Sequence, residues 1–200
     1  MQGVAWTSGS VRATGLATQD GVYVKSGSPN YLYLGSIYIN SSGSNTSDSG
    51  ATRYVWNNYN RISKPLFADD TTSSWTYTTN TFRPFNNSMV NGVGRVSFLV
   101  GLQEDAIFAV VNGACSNSSV ALAVGVGIGY DSTSTRSSKG IGFATSIATV
   151  DEIVNTTAQI NTIPSVGHHY LSTLEYSQSK GTTTWRGSNY NTGLTGSIFV

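Results

Sequence analysis

Tyr31 to Arg61 reads YLYLGSIYINSSGSNTSDSGATRYVWNNYNR, and it opens in tight alternation. Leu32, Leu34, Ser36 and Tyr38 fall on one side of an extended chain, and Tyr31, Tyr33, Gly35, Ile37 and Ile39 on the other. Aromatic and β-branched residues at a period of two make a strand. Asn40 to Gly50 holds only Ser, Gly, Asn, Thr and Asp. Such a stretch buries nothing and supplies turn chemistry, so it is predicted to be an exposed loop. The chain returns as Arg53-Tyr54-Val55-Trp56-Asn57-Asn58-Tyr59-Asn60-Arg61, the expected partner strand, with Trp56 bracketed by Arg53 and Arg61.

Similar short alternating segments lie on both sides of this hairpin. Before it, Val4–Trp6, Val11–Leu16 and Val22–Val24 are strand candidates between glycine-bearing turns. After it, Trp75–Thr79 and Thr81–Phe85 alternate. Arg95 to Leu102 and Ala106 to Val111 form the most apolar region, and Gln103-Glu104-Asp105 between them predicts a core hairpin. Asn112 to Ser119 is expected to be a polar loop. In the strand from Val120 to Tyr130, Val120, Leu122, Val124, Val126 and Ile128 share one face, and Ala121, Ala123, Gly125, Gly127 and Gly129 the other. Glycine inside a strand often marks close approach of another backbone, so Gly125, Gly127 and Gly129 are a candidate interface with a second sheet or a neighbouring subunit. Asp131 to Gly140 reads as a loop, Ile141–Ala144 as a strand, and Thr149–Ile153 as a possible helical turn. His169–Tyr176, Thr182–Trp185 and Ser197–Val200 complete the strands.

Ten or more short strands with turns between them, and no long helix, predict an all-β fold, an antiparallel β-sandwich or jelly roll. No repeat of fixed period argues for a propeller or β-helix. No composition shift divides the chain, so residues 1–200 are read as a single β-sandwich domain.

Composition narrows the function classes. Charged residues make up 10% of the chain, against about 25% in ordinary soluble domains. Ser and Thr are roughly a quarter of it, a mixture that favours strands and turns over helices. Eleven Lys and Arg are scattered with no run to track a phosphate backbone, so a nucleic-acid partner is not expected. No apolar run approaches the ~20 residues of a membrane-spanning helix. The N-terminus lacks the charged and apolar regions of a signal peptide. Cys115 is the sole cysteine, which excludes an internal disulfide framework.

Motifs for chemistry are sparse. The acidic pairs Asp69-Asp70, Glu104-Asp105 and Asp151-Glu152 are sequence neighbours, whereas glycosidases need carboxylates facing one another at about 5–10 Å. His168-His169 would diverge on a strand, and no spaced Cys/His set completes a metal site, so no metal and no cofactor are expected. Gly125-Val126-Gly127-Ile128-Gly129 lacks the strand-turn-helix context of a nucleotide loop. A Ser-His-Asp triad stays open, since its members can be distant in sequence. For binding, Trp75, Tyr77, Trp185 and Tyr190 lie among Thr, Ser, Asn and Arg, and aromatic faces beside hydroxyls and amides suit sugar rings. The alternative is that Trp75 and Trp185 are ordinary core anchors.

The pattern YLG, then a loop with an acidic residue, then RYVWNNYNR resembles a segment of bacteriophage virion proteins, especially tail-fibre and appendage proteins. Val4-Ala5-Trp6-Thr7, Gln19-Asp20-Gly21-Val22-Tyr23-Val24, Ser74-Trp75-Thr76-Tyr77, Gly167-His168-His169-Tyr170-Leu171 and Gly193-Leu194-Thr195-Gly196 extend the likeness over most of the chain. Those family members carry more chain before the Trp6 segment, so a shortened form or an excised domain is expected. The resemblance implies a non-enzymatic structural protein located in the virion, a homotrimer that contacts other virion proteins and a host-surface glycan. A capsid decoration or head-fibre protein is the nearer alternative, and an enzyme acting on surface polysaccharide the more distant one.

Overall fold

A computed structural model of the chain describes residues 6–8, 11–12, 14–39, 46–142, 144–188, 190 and 192–200. Val4 and Ala5, expected to begin the first strand, lie outside the described residues, as do residues 40–45 of the serine-rich loop. The fold is the expected all-β sandwich, built of antiparallel sheets packed together.

One sheet is organised on Ile107–Asn117. Along one edge it pairs with Val154–Thr162, which pairs with Gly140–Ile141. Its other edge forks. Residues 108–112 pair with Gly193–Phe199 and, beyond it, Ser63–Asp69; residues 114–117 pair with Thr183–Arg186 and, beyond it, Ser74–Tyr77. The facing sheet is organised on Gly167–Ser177. It pairs with Ala121–Tyr130 on one side, and on the other with Arg95–Val100 and Arg83–Pro84. Ala144–Ile147 and the parallel pair Thr52–Arg53 finish its edges.

The core lies between these sheets. Val96, Phe98, Ile107, Ala109, Val111, Val124, Val126, Ile128 and Leu171 are all at most 1% exposed. Each large apolar side chain buried in this way stabilises the fold by about 1.5–3 kcal/mol. The layers approach closely at Gly113, where an added Cβ would stand 2.7 Å from Val126 Cγ1 of the facing sheet and 2.9 Å from the Trp185 ring of its own sheet.

The expected core hairpin is instead an arch. Arg95–Val100 and Ile107–Asn117 pair with different partners in opposite sheets, and the chain crosses the sandwich between them. Two apolar strands joined by a short polar link can face one another across a core as readily as side by side. Asn112 to Asn117, expected to be loop, continues the strand. Its amides are satisfied laterally: Asn117 Nδ2 donates to Thr183 Oγ1 at 2.8 Å, and Asn112 Oδ1 accepts from Thr157 Oγ1 at 2.8 Å. The 149–153 segment is a turn closed by Glu152 N–H to Thr149 O, with Asp151 at φ 61°.

The Tyr31–Arg61 hairpin forms over a shorter span than its alternation suggests. Gly35–Ile37 pairs with Val55–Asn57, with Ser36 opposite Trp56. Upstream, Ser28–Leu32 belongs to a separate meander with Leu16–Gln19 and Val22–Lys25. The chain changes sheet at Tyr33 and Leu34: Tyr33 N–H donates to Tyr23 O, and Leu34 O accepts from Asn58 N–H. This step breaks the parity, so Tyr33 and Ser36 are both buried and their hydroxyls meet at 2.7 Å. Trp56 is 2% exposed. Its ring lies over Gly101, where a Cβ would fall 2.1 Å from ring carbon Cε3. The Arg61 guanidinium lies over the Trp56 ring, 5.3 Å from its centroid. Arg53 is buried, donating to Pro65 O and to Asp48 Oδ1.

Candidate functional site

A cavity opens where Ala121–Tyr130 runs into the 131–139 loop, facing the 162–165 segment that enters Gly167–Ser177. Its volume is about 480 Å³. Asp131 starts the loop at φ 50°, a left-handed conformation that Asp tolerates better than most residues. Its carboxylate is held twice: Oδ1 accepts the Tyr170 N–H at 2.9 Å and Oδ2 faces His169 Nδ1 at 2.7 Å. The loop then folds on its own hydroxyls. Ser132 Oγ accepts the Thr135 N–H at 3.0 Å, Ser137 N–H donates to Ile128 O at 2.8 Å, and Arg136 donates to Gly142 O at 3.0 Å. Serine-centred turns of this kind fix a loop without apolar burial.

Ser165, on the opposite wall, completes a Ser-His-Asp constellation. His169 Nε2 is 3.2 Å from Ser165 Oγ and 2.9 Å from Ser165 O. His169 is buried and Ser165 exposed. A carboxylate and a carbonyl oxygen only accept, so both ring nitrogens face acceptors. With Nδ1–H donating to Asp131, a neutral ring leaves Nε2 to accept from Ser165 Oγ; with Nε2–H donating to Ser165 O, that nitrogen cannot take the Ser165 proton. His169 thereby links the 162–165 segment to Asp131.

His168 points the other way. Its ring stacks on Tyr38 with centroids 4.2 Å apart and meets the edge of Tyr54 at 5.5 Å. Burial, with His169 beside it, pushes its pKa below the ordinary value. Among the described residues no group of three or more His, Cys, Asp or Glu is arranged to hold a metal ion.

The four aromatic residues proposed for a glycan do not converge on a surface. Trp75, Tyr77 and Trp185 are 8%, 9% and 0% exposed, and only Tyr190 is open, at 42%. A buried ring offers no face to a sugar, so the first three are core anchors. Their polar neighbours pair across the sheet, Ser74 with Arg186 and Thr76 with Thr184, while Trp75 faces Trp185.

Trp75 binds a group that sequence reasoning missed. Glu175 is 0% exposed. Its Oε2 accepts the Trp75 Nε1–H at 2.5 Å and its Oε1 accepts the Arg83 Nε–H at 2.6 Å. Arg83 also lies 4.0 Å above the Tyr77 ring. Burial outweighs these partners and pushes the Glu175 carboxyl up to about 7. Cys115 is buried, and its thiol is pushed up to about 12 by burial and by Glu175, so it is no nucleophile at neutral pH.

At Gly127 and Gly129 the small face of Ala121–Tyr130 is covered by the chain itself. A Cβ on Gly127 would meet Arg136 Cγ at 3.1 Å and Phe82 at 3.2 Å, and one on Gly129 would fall 2.0 Å from Ser132 O. The close layer at Gly127 and Gly129 is thus Phe82 and the 131–139 loop. Glu104 and Asp105, the acidic pair in the arch, both bind Arg61.

The chain matches no protein-family model, and no curated protein is significantly similar to it.

Proposed function

We propose that the chain is a non-enzymatic structural protein of a bacteriophage virion, a tail-fibre or appendage domain that contacts the host surface. The observation that carries this reading is the use made of the motifs of the resemblance. Arg53, Tyr54 and Trp56 of RYVWNNYNR, the two histidines of GHHYL and the glycines of GLTG all serve packing. Gly193 and Gly196 sit where a Cβ would fall 2.4 Å from Ala68 O and 2.3 Å from Phe108 O, letting Gly193–Phe199 fit between its two neighbouring strands. Motifs spent on the scaffold fit a protein whose task is shape and attachment. Assembly as a homotrimer is part of the proposal. The outer face around Gly193–Phe199 leaves Phe67, Phe108 and Phe199 exposed at 55%, 42% and 44%, and patches of this kind mark interaction surfaces.

Labelled antibodies against the chain, applied to purified particles, test the proposal. Label on tails is expected. Label on capsids would replace it with the head-decoration reading, and absence from particles would end both. The Ser165-His169-Asp131 geometry favours one other reading, an esterase acting on surface polysaccharide. Turnover of an acetyl ester that disappears in Ser165→Ala would establish it.

A further inference from the structure

The cavity beside Ser165 carries a cationic and hydroxyl-rich lining. Its volume of about 480 Å³ falls in the range of small-ligand sites, about 300–1,000 Å³. Arg136 and Lys139 both line it, and no carboxylate does. In a chain whose basic and acidic residues nearly balance, this is a local positive site. Ser132, Ser137 and Thr162, each with a hydroxyl, line it as well. Ile163, 48% exposed, and Pro164 supply an apolar strip. Beneath them the Tyr130 hydroxyl is buried beside Ser165 without reaching good hydrogen-bond geometry. The walls are fixed before any ligand arrives, by the Asp131-His169-Ser165 tie and by Ser137 N–H to Ile128 O. Preorganisation of this kind lowers the entropic cost of binding.

Cations, neutral hydroxyls and a short apolar strip match a sugar ring that carries an acid group. Two cations are too few for a nucleic-acid backbone, whose affinity grows with the number of phosphates neutralised. We propose that this cavity binds an anionic saccharide, with Arg136 and Lys139 on its carboxylate or phosphate and the serine and threonine hydroxyls on its ring. The inference rests on the host-contact reading and names the ligand class for it.

The full chain, titrated by calorimetry and by amide NMR shifts, provides the test. The probes are sialyllactose and galacturonate oligomers for carboxylates, glucose phosphate for phosphate, and lactose as the neutral control. An acidic probe should bind about tenfold more tightly than lactose and shift amides of residues 132–139 and 162–165. Binding by carboxylates alone or by phosphate alone identifies the source, and either supports the proposal. Lys139→Gln should weaken binding about fivefold to tenfold, the effect of one charge-assisted hydrogen bond, with an unchanged melting temperature. Arg136→Gln should do the same, although it also thins the layer over Gly127, so Lys139→Gln decides. Equal binding of lactose and acidic sugars, no binding by any probe at millimolar concentration, or an unaffected Lys139→Gln would overturn the assignment. Antibody labelling of particles is independent of these results, so a protein that marks tails yet binds none of the probes loses the cavity assignment alone.

Discussion

Glu175→Gln tests the balance of forces in the buried cluster of Glu175, Arg83 and Trp75. The carboxyl has an ordinary value of 4.5 and is pushed up to about 7 in the fold, first by burial, against the N–H groups of Trp75 and Arg83. Between these values the native protein holds a proton that the unfolded chain has released. Stability from this group is therefore complete below pH 4.5 and is lost as pH rises through 7. The whole span corresponds to about 3 kcal/mol, with most of it between pH 5 and pH 8. That is a large part of the roughly 5–15 kcal/mol that holds a typical domain together. His168 and Asp48 act in the opposite sense, since both are lowered and lose stability as pH falls. They are present in parent and variant alike and cancel in the comparison. Urea unfolding followed by tryptophan fluorescence, at pH 5 and pH 8, gives the four stabilities required. The parent should lose about 2–3 kcal/mol more than Glu175→Gln on going to pH 8. An identical pH dependence in the two proteins would mean that Glu175 stays ionised throughout, with Arg83 and Trp75 outweighing burial, and the reasoning would be wrong.

Gly101→Ala should destabilise by about 1–3 kcal/mol as overpacking against the buried Trp56 ring, read as a lower urea midpoint with an unchanged slope; a parental midpoint contradicts the packing. Gly127→Leu should cost about as much by pushing on Arg136 and Phe82, and a variant that melts like the parent would show that this face yields freely. Light scattering at micromolar concentration should give three times the 21.2 kDa chain mass, and Phe67→Ser with Phe108→Ser should shift it toward the monomer; a parental monomer refutes the trimer. A chelator should leave the melting temperature unchanged, and a fall of several degrees would reveal a structural metal.

Alternation and turn residues were sufficient to predict an all-β sandwich, because side-chain parity is a local property of an extended chain. The inward set Val124, Val126 and Ile128 was legible for that reason, although Val120, expected on the same face, lies before the strand and is exposed; the pairing of Gly35–Ile37 with Val55–Asn57 was legible too. Val154–Thr162 was missed. Its inward residues are Thr156, Ala158 and Ile160, too small and polar to announce a core strand, and they are buried because pairing with Ile107–Asn117 turns them toward the facing sheet. Which strands pair was equally hidden: the arch from Arg95–Val100 to Ile107–Asn117 depends on a core that neither strand makes alone. The same limit governed the sites. Trp75 and Trp185 looked available because a sequence lists neighbours along the chain, while burial is set by neighbours across sheets. Glu175 sits 100 residues from Trp75 and 92 from Arg83, and Ser165, His169 and Asp131 meet only once two loops close at one end of the sandwich. Strand character belongs to each segment; the buried carboxyl, the tied histidine and the cationic cavity are properties of long-range contacts, and only the folded chain contains them.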